Sequence, residues 1–530
     1  MSTRIVLIEH PRRSSWVHMN DVANTPLSSS LMTGYVAAAL EAAGHGVLVV
    51  EGNLGRLSAE EIAARAAVHT PEIIGLHLVY DWSDGAHIRE LLAGVLRAVG
   101  SVPVLAYGFY PTFAYGDLLW AFPGVTGAIL GEPEATVVEA VSSLLRSGPG
   151  VGASAEALTR VAGMAALVGD RVVVAPPRPL VQDLDALPAP VRTPEMLSLR
   201  EVNIAASRGC YGSCTFCTIN PFYGDGSHWR PRSPENVVTE MGLVLEEHPH
   251  KRRFYFVDPN FFGPRARGRE RVLELARLIA DRFDVRFGIE GRVNDIDDEV
   301  VEALVRAGFD EILIGLESGS DATLARLNKH TSVEQNRRAL RILRSHGVEP
   351  NVGFIMFEPD SSLADVRVNL RFLEEEGLLD RLSLTANVLY HQQIMLAGTP
   401  AFRSAQAEGR LVRSPHNAYE GSIPYRHPEV GFLAETMAEA CRHIFAGLPQ
   451  DVWLEGSAVE LGVAGGSAPA VSASGGPARP ALDLAGLNTR LVAVFRELLE
   501  GLEEGTLAPA PAVAQGVLDD VRGLMAAASA

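Results

Sequence analysis

The stretch Glu201–Asn220, EVNIAASRGCYGSCTFCTIN, decides how the chain is read. A short strand-like run, EVNIAAS, feeds a glycine-bearing loop that carries Cys210, Cys214 and Cys217 as C-x3-C-x2-C. One tight loop can present three thiolates to a single small centre at that spacing. A zinc site would want a fourth ligand, commonly in a second Cys or His pair, and no such pair stands nearby. Zinc closed by a distant His or Asp stays open as the alternative. Three thiolates on a four-iron cluster leave one iron free to chelate the amino and carboxylate groups of a methionine moiety. Disulfides are a poor account of four cysteines in 530 residues, because disulfide frameworks belong to small secreted domains. The fourth, Cys441, lies in the helical stretch ETMAEACRHIFAG and reads as a packing residue.

Outward from the loop, strands and helices alternate. After it come SPENVVTEMGLVLEEH, RRFYFVD, RERVLELARLIADRF, VRFGIE, DEVVEALVRAG, EILIGLE, SVEQNRRALRILRSHG, EPNVGFIMF, LADVRVNLRFLEEEG and a final strand RLSLTANVLY. Six β/α units predict a partial parallel (β/α)6 barrel over 196–390, with the cysteine loop at the carboxyl end of the first strand, where such barrels keep their sites. Before the loop, RIVLIE through EATVVEAVSSLLRSG also alternates and predicts a doubly wound, Rossmann-like α/β domain over 1–150. ALVGDRVVVAPP and the proline-rich VQDLDALPAPVRTP form a connecting hairpin and linker over 151–195. Beyond the barrel a substrate-side region is expected over 391–462, a flexible small-residue linker over 463–482 and a mostly helical carboxy-terminal segment over 483–530.

Composition narrows the function. Short, interrupted apolar runs within a 47% hydrophobic chain predict no membrane span, and the start MSTRIVLIEHPRRSS has no secretory pattern, so a cytoplasmic location is expected. A formal charge of −18 argues against nucleic acid as a partner, since backbone binding needs clustered cations. Lysine occurs only as Lys251 and Lys329 while arginine is abundant, a bias of coding sequence more than of function.

The cysteine spacing, with the aromatic Phe216 before the last cysteine, resembles the signature of the radical S-adenosylmethionine (SAM) enzymes. Other segments resemble theirs in order. YFVDPNFF looks like the second-strand segment, which implies that Asp258 lies near the methionine amino group. EILIGLESGS looks like the fourth-strand motif, which implies Glu317 and Ser318 near the ribose or methionyl end, and Arg292 is implied as a further SAM contact. VGFIMFE is similar to the adenine-supporting strand, with Gly353, Ile355 and Phe357, the last standing where a glycine is usual.

HWRPRSPENVVTE and LAGTP are typical of one branch, the cobalamin-dependent radical SAM methyltransferases, whose amino-terminal domain residues 1 to about 190 resemble. There YGFYPT stands for the glycine-bearing loop after the fourth strand (Gly108, Phe109, Pro111, Thr112), and LGEPEAT for the Gly-Glu turn after the fifth (Gly131, Glu132). Glycine at such places lets backbone approach a large ligand. No histidine stands in an Asp-x-His-x-x-Gly pattern that would supply an axial cobalt ligand. The resemblance implies a [4Fe-4S] cluster, SAM and cobalamin, carried as methylcobalamin. It also implies that a methyl group taken from one SAM by cobalt(I) meets a substrate radical made by a 5′-deoxyadenosyl radical from a second.

The substrate so implied is a small-molecule or carrier-protein-bound natural-product intermediate, with an external electron donor of flavodoxin or ferredoxin type. A cobalamin-assisted cyclisation or rearrangement without methyl transfer, and a non-catalytic iron-sulfur electron carrier, are the alternatives. Tyr390 and His391, at the end of the last predicted strand, are the candidates for orienting substrate. Adjacent strand residues point to opposite faces, so at most one of them should face inward if the strand is regular.

Overall fold

The computed structural model describes residues 2–12, 29–79, 85–147, 151–415, 417–447 and 483–528. The linker expected over 463–482 lies outside them. Among the described residues no helix is long and apolar enough to cross a membrane.

The first sheet has seven strands: β1 (Arg4–Glu9), β2 (Gly46–Glu51), β3 (Ile73–His77), β4 (Val104–Tyr107), β5 (Gly127–Ile129), β6 (Met164–Val168) and β7 (Arg171–Val174). Their order is β2-β1-β3-β4-β5-β6-β7, parallel through β5 and antiparallel from there. β3, β4 and β5 are wholly buried, and β1 is buried from Ile5 on, as strands covered by helices on both faces must be. The chain order reverses between β1 and β3, which makes their carboxyl ends the place for a ligand crevice. The hairpin read from ALVGDRVVVAPP is β6–β7, and it extends this sheet instead of standing apart as a connector.

The second sheet follows β8 (Val202–Ile204), the two-residue antiparallel ribbon β9 (Ser207–Arg208) and β10 (Arg230–Pro231), and then β11 (Arg253–Phe256), β12 (Arg286–Arg292), β13 (Phe309–Glu317) and β14 (Asn351–Phe354). Its order β14-β13-β12-β11-β8 is parallel throughout. The sixth strand expected at RLSLTANVLY is instead the helix Leu382–Tyr390. Seven of its nine residues are buried, so the segment shows no alternation that would favour a strand, and tertiary packing decides. Only one parallel bridge, Phe357 to Gln392, continues the sheet there. The helix Leu484–Glu503 packs over this side, with Phe495 6.1 Å from Phe357 between ring centres, and Asn488 donates to the Leu379 carbonyl at 2.8 Å.

Candidate active site

β8 ends in the sequence that becomes the cysteine loop, so Cys210, Cys214 and Cys217 stand at the carboxyl edge of the second sheet. All three line one cavity of about 540 Å³ between the two sheets' strand ends. Burial pushes the Cys217 thiol up to about 12, with Cys214 adding to the effect, and burial raises Cys210 as well. Arg292, at the end of β12, answers that cost: its Nη1 donates to the Cys214 sulfur at 3.3 Å, and its guanidinium also holds the Lys329 carbonyl. Thiolates are the ligating form, so a buried cation beside them favours metal binding. Among the described residues no three His, Cys, Asp or Glu side chains are placed to hold a single metal ion. Three thiols on one loop, beside a buried cation, are a donor set that fits a cluster held by three thiolates.

Four further residues expected from the sequence reach the same cavity: Phe216, Glu317, Gly353 and Ile355. Glu317 sits in the left-handed region at φ +64°, a conformation that costs a non-glycine residue roughly 1–3 kcal/mol and collects at functional sites. Its Oε1 accepts from Lys329 Nζ at 2.6 Å. Burial works to lower the Lys329 pKa, but the Glu317 carboxylate more than offsets it, so the ammonium stays charged. Phe109, Glu132 and His391 also line the cavity.

Several expected contacts lie elsewhere. Asp258 is buried beneath the cysteine loop, where Oδ2 accepts from the Ala206 amide at 2.9 Å and Oδ1 from the Ser207 hydroxyl. It supports the loop and does not line the cavity. Ser318 is buried too, donating to Asn369 Oδ1 at 2.7 Å, and Phe357 is fully buried against Phe495. Tyr390 ends a helix, not a strand, and packs edge-on against Phe445 at 5.7 Å, away from the cavity that His391 lines.

In the first domain Gly108 (φ +116°) caps the helix Phe109–Ala121, and an added Cβ would stand 2.5 Å from the Leu78 carbonyl oxygen and 2.8 Å from the His77 ring. Its lack of a side chain is required by the domain's own packing. Thr112 ties two loops together, donating to the Gly108 carbonyl at 2.7 Å and accepting from the Gly131 amide at 3.1 Å. A Cβ on Gly131 would meet the Phe222 carbonyl at 3.3 Å, and Pro111 is buried within the helix. Glu132 is engaged by protein donors: Arg208 Nη1 at 2.9 Å, Arg230 at 3.0 Å through both Nη atoms, and the Val181 amide at 3.0 Å.

Three features were not anticipated. Lys329 has just been described. Glu290, on the same face of β12 as Arg292, lines the cavity without a hydrogen bond or ion pair among the described residues, and burial, with Asp258 adding, raises its carboxyl to about 8. At the β1/β3 reversal, Glu9 Oε1 lies 2.7 Å from His77 Nδ1, and Thr33 and Tyr107 share a 2.8 Å hydrogen bond, all four side chains fully buried. These residues meet only in the fold; a carboxylate ending β1 and a histidine ending β3 were the sole sequence signals.

Residues 204–373 match the model of the Radical SAM superfamily. The second sheet is a radical SAM domain. The whole chain superposes on the cobalamin-dependent SAM radical enzyme OxsB with aqua-cobalamin bound, with a TM-score of 0.73, 19% identity and coverage of 98% of this chain and 75% of that one. It is also similar in fold to the radical SAM methyltransferase TsrM from Kitasatospora setae, with a TM-score of 0.60, 16% identity and coverage of 78% and 80%.

Among curated relatives, an anaerobic magnesium-protoporphyrin IX monomethyl ester cyclase of Synechocystis is 26% identical over 58% of this chain and 60% of that protein. The chain thus spans about three fifths of that relative. An uncharacterised methyltransferase of Pyrococcus horikoshii is 23% identical over 70% and 78%. A radical SAM domain implies a [4Fe-4S] cluster and SAM, and the arrangement of Cys210, Cys214, Cys217, Arg292 and Glu317 fits both.

Proposed function

We propose that this chain is a cobalamin-dependent radical SAM methyltransferase that transfers a methyl group to an unactivated carbon of a small-molecule or carrier-bound intermediate. The observation that carries the reading is the single cavity shared by the cysteine loop and by first-domain residues, among them Leu31, Met32, Phe109 and Pro133. When bound, the cluster supplies the electron that cleaves SAM and the cobalamin supplies the methyl group. Cys210, Cys214 and Cys217 hold the cluster, and an external donor of flavodoxin or ferredoxin type delivers the electron.

The chain's own residues do the positioning. Arg292 sets a cation beside the thiolates, and Glu317, fixed by Lys329, offers acceptor oxygens at the carboxyl end of β13. The backbone of Gly353 lies open beside it, its nearest side-chain neighbour for an added Cβ being Glu317 Oε2 at 3.7 Å, which leaves room for a nucleoside edge. The apolar first-domain wall, with Phe109 stacked on Phe222 at 4.6 Å, offers a surface to a large planar ligand and excludes water. His391 remains the candidate for orienting substrate. Holding the methyl donor and the acceptor carbon in one closed space is what selects the reaction.

The test is the reconstituted enzyme supplied with hydroxocobalamin, a reductant and methyl-deuterated SAM. Formation of both 5′-deoxyadenosine and S-adenosylhomocysteine supports the reading. 5′-Deoxyadenosine without S-adenosylhomocysteine replaces it by cyclisation or rearrangement, and neither product leaves an electron carrier. Cys214→Ala should abolish 5′-deoxyadenosine formation.

A further inference from the structure

The ribbon β9–β10 places Arg208 directly opposite Arg230. Two like charges paired across strands oppose each other, and both guanidiniums are largely buried, so the ribbon needs an anion to stand. The anion comes from the other domain. Glu132, in the turn after β5, takes Arg208 and Arg230 together, and Glu134 takes Arg208 at 2.6 Å. Burial alone would raise the Glu132 carboxyl, but the two arginines hold it below the usual carboxylate range. Aromatic faces back the cations on each side: Tyr35 lies 5.1 Å from Arg208 and Tyr223 5.0 Å from Arg230.

This ribbon runs straight into the cysteine loop. β9 is followed by Gly209 and Cys210, and the loop closes on the approach to β10, where the His228 amide donates to the Cys210 carbonyl at 3.2 Å and Ser227 Oγ to the same oxygen at 3.1 Å. An added Cβ on Gly209 would stand 2.2 Å from the His228 carbonyl, so the two strands cannot shift independently. A shift of Glu132 is thereby transmitted within three residues to a cluster ligand.

We infer that Glu132 is a positioning residue, an interdomain pin that sets the first domain's strand ends at a fixed distance from the cysteine loop. The functional consequence, a fixed spacing between cobalamin and cluster, rests on the reading given under Proposed function; the pin itself does not. In protein carrying the reduced cluster and cob(II)alamin, pulsed EPR should give one narrow distance distribution for the wild type. Glu132→Gln, which keeps the shape but removes the charge and turns one of the two acceptor oxygens into an amide donor facing N–H groups, should retain both cofactors and broaden that distribution at least twofold. Arg230→Lys, which keeps the charge but loses the fork, should broaden it less.

An unchanged width in Glu132→Gln overturns the inference. Should the wild type retain no cobalamin, the proposed function fails, and amide exchange decides the pin alone: Glu132→Gln must speed exchange across 205–217 with the interior of the first sheet unaffected, and equal protection in variant and wild type overturns it. Should Glu132→Gln not fold, Arg230→Lys carries the same exchange test.

Discussion

Arg292 donates to the Cys214 sulfur at 3.3 Å, which fixes a cation against one of the three thiols proposed to hold the cluster. A fixed positive charge at that distance favours whichever cluster state carries more negative charge, which is the reduced one. Arg292→Gln should therefore still allow a cluster to assemble on three cysteines but lower its midpoint potential, by on the order of 100 mV at an effective dielectric constant near 20. Redox titration followed by EPR checks this, and a potential equal to that of the wild type would remove Arg292 from the account of the site. Cys441, fully buried in the helix Pro428–Gly447, provides the contrast: Cys441→Ala should leave iron content unchanged.

Glu290 predicts a pH dependence of stability. Its carboxyl is raised to about 8 in the folded chain, against an ordinary value of 4.5. Between those values the folded chain holds a proton that the unfolded chain has released, so stability falls as pH rises through the window and levels off above about 8. Glu290→Gln, isosteric with the protonated form, should lose this slope. Urea midpoints at pH 6 and pH 9 measure it: the wild type should drop more between the two than the variant does, and parallel drops would mean that the carboxyl finds a partner or reaches solvent.

Gly108→Ala should destabilise the first domain whether or not a cofactor is present. The new methyl would be driven against the Leu78 carbonyl at 2.5 Å in a backbone conformation that alanine disfavours, and roughly 1–3 kcal/mol is the usual range for such strain. Thermal unfolding without added cobalamin is the measurement. A melting temperature that differs only in the loaded protein would restore the role expected from the sequence, in which the missing side chain makes room for the cofactor.

The comparison at Gly108 shows where the sequence was legible. Alternating periods of strand and helix, and three cysteines at one strand end, are local signals, and the parallel arrays of β1–β5 and of β8 with β11–β14, with the cysteine loop at the cavity, follow from them. Glu132 was legible as an unusual residue in a Gly-Glu turn, but its partners lie 76 and 98 residues away, so a ligand and a buried ion pair read alike from the turn alone. Asp258 was expected near the methionine amino group through the resemblance of YFVDPNFF alone, and the structure gives it the amide and hydroxyl at the base of the cysteine loop. RLSLTANVLY carries the β-branched and aromatic residues of a strand, yet burial on nearly every side erases the periodicity that tells the two structures apart.

The sheet that stops at β14 has a consequence for folding. Past the Phe357–Gln392 bridge, the outer edge of β14 is an unpaired row of amides and carbonyls, and such rows recruit strands from other chains unless something covers them. The helices Leu382–Tyr390 and Leu484–Glu503 lie over that side, one contiguous with the barrel and the other arriving from far along the chain. A newly made polypeptide thus carries the first helix as soon as the barrel emerges but must extend past Glu503 before the second can dock. Until that helix docks, the shorter helix alone covers the β14 side, and closing Phe357 against Phe495 is what completes the cover.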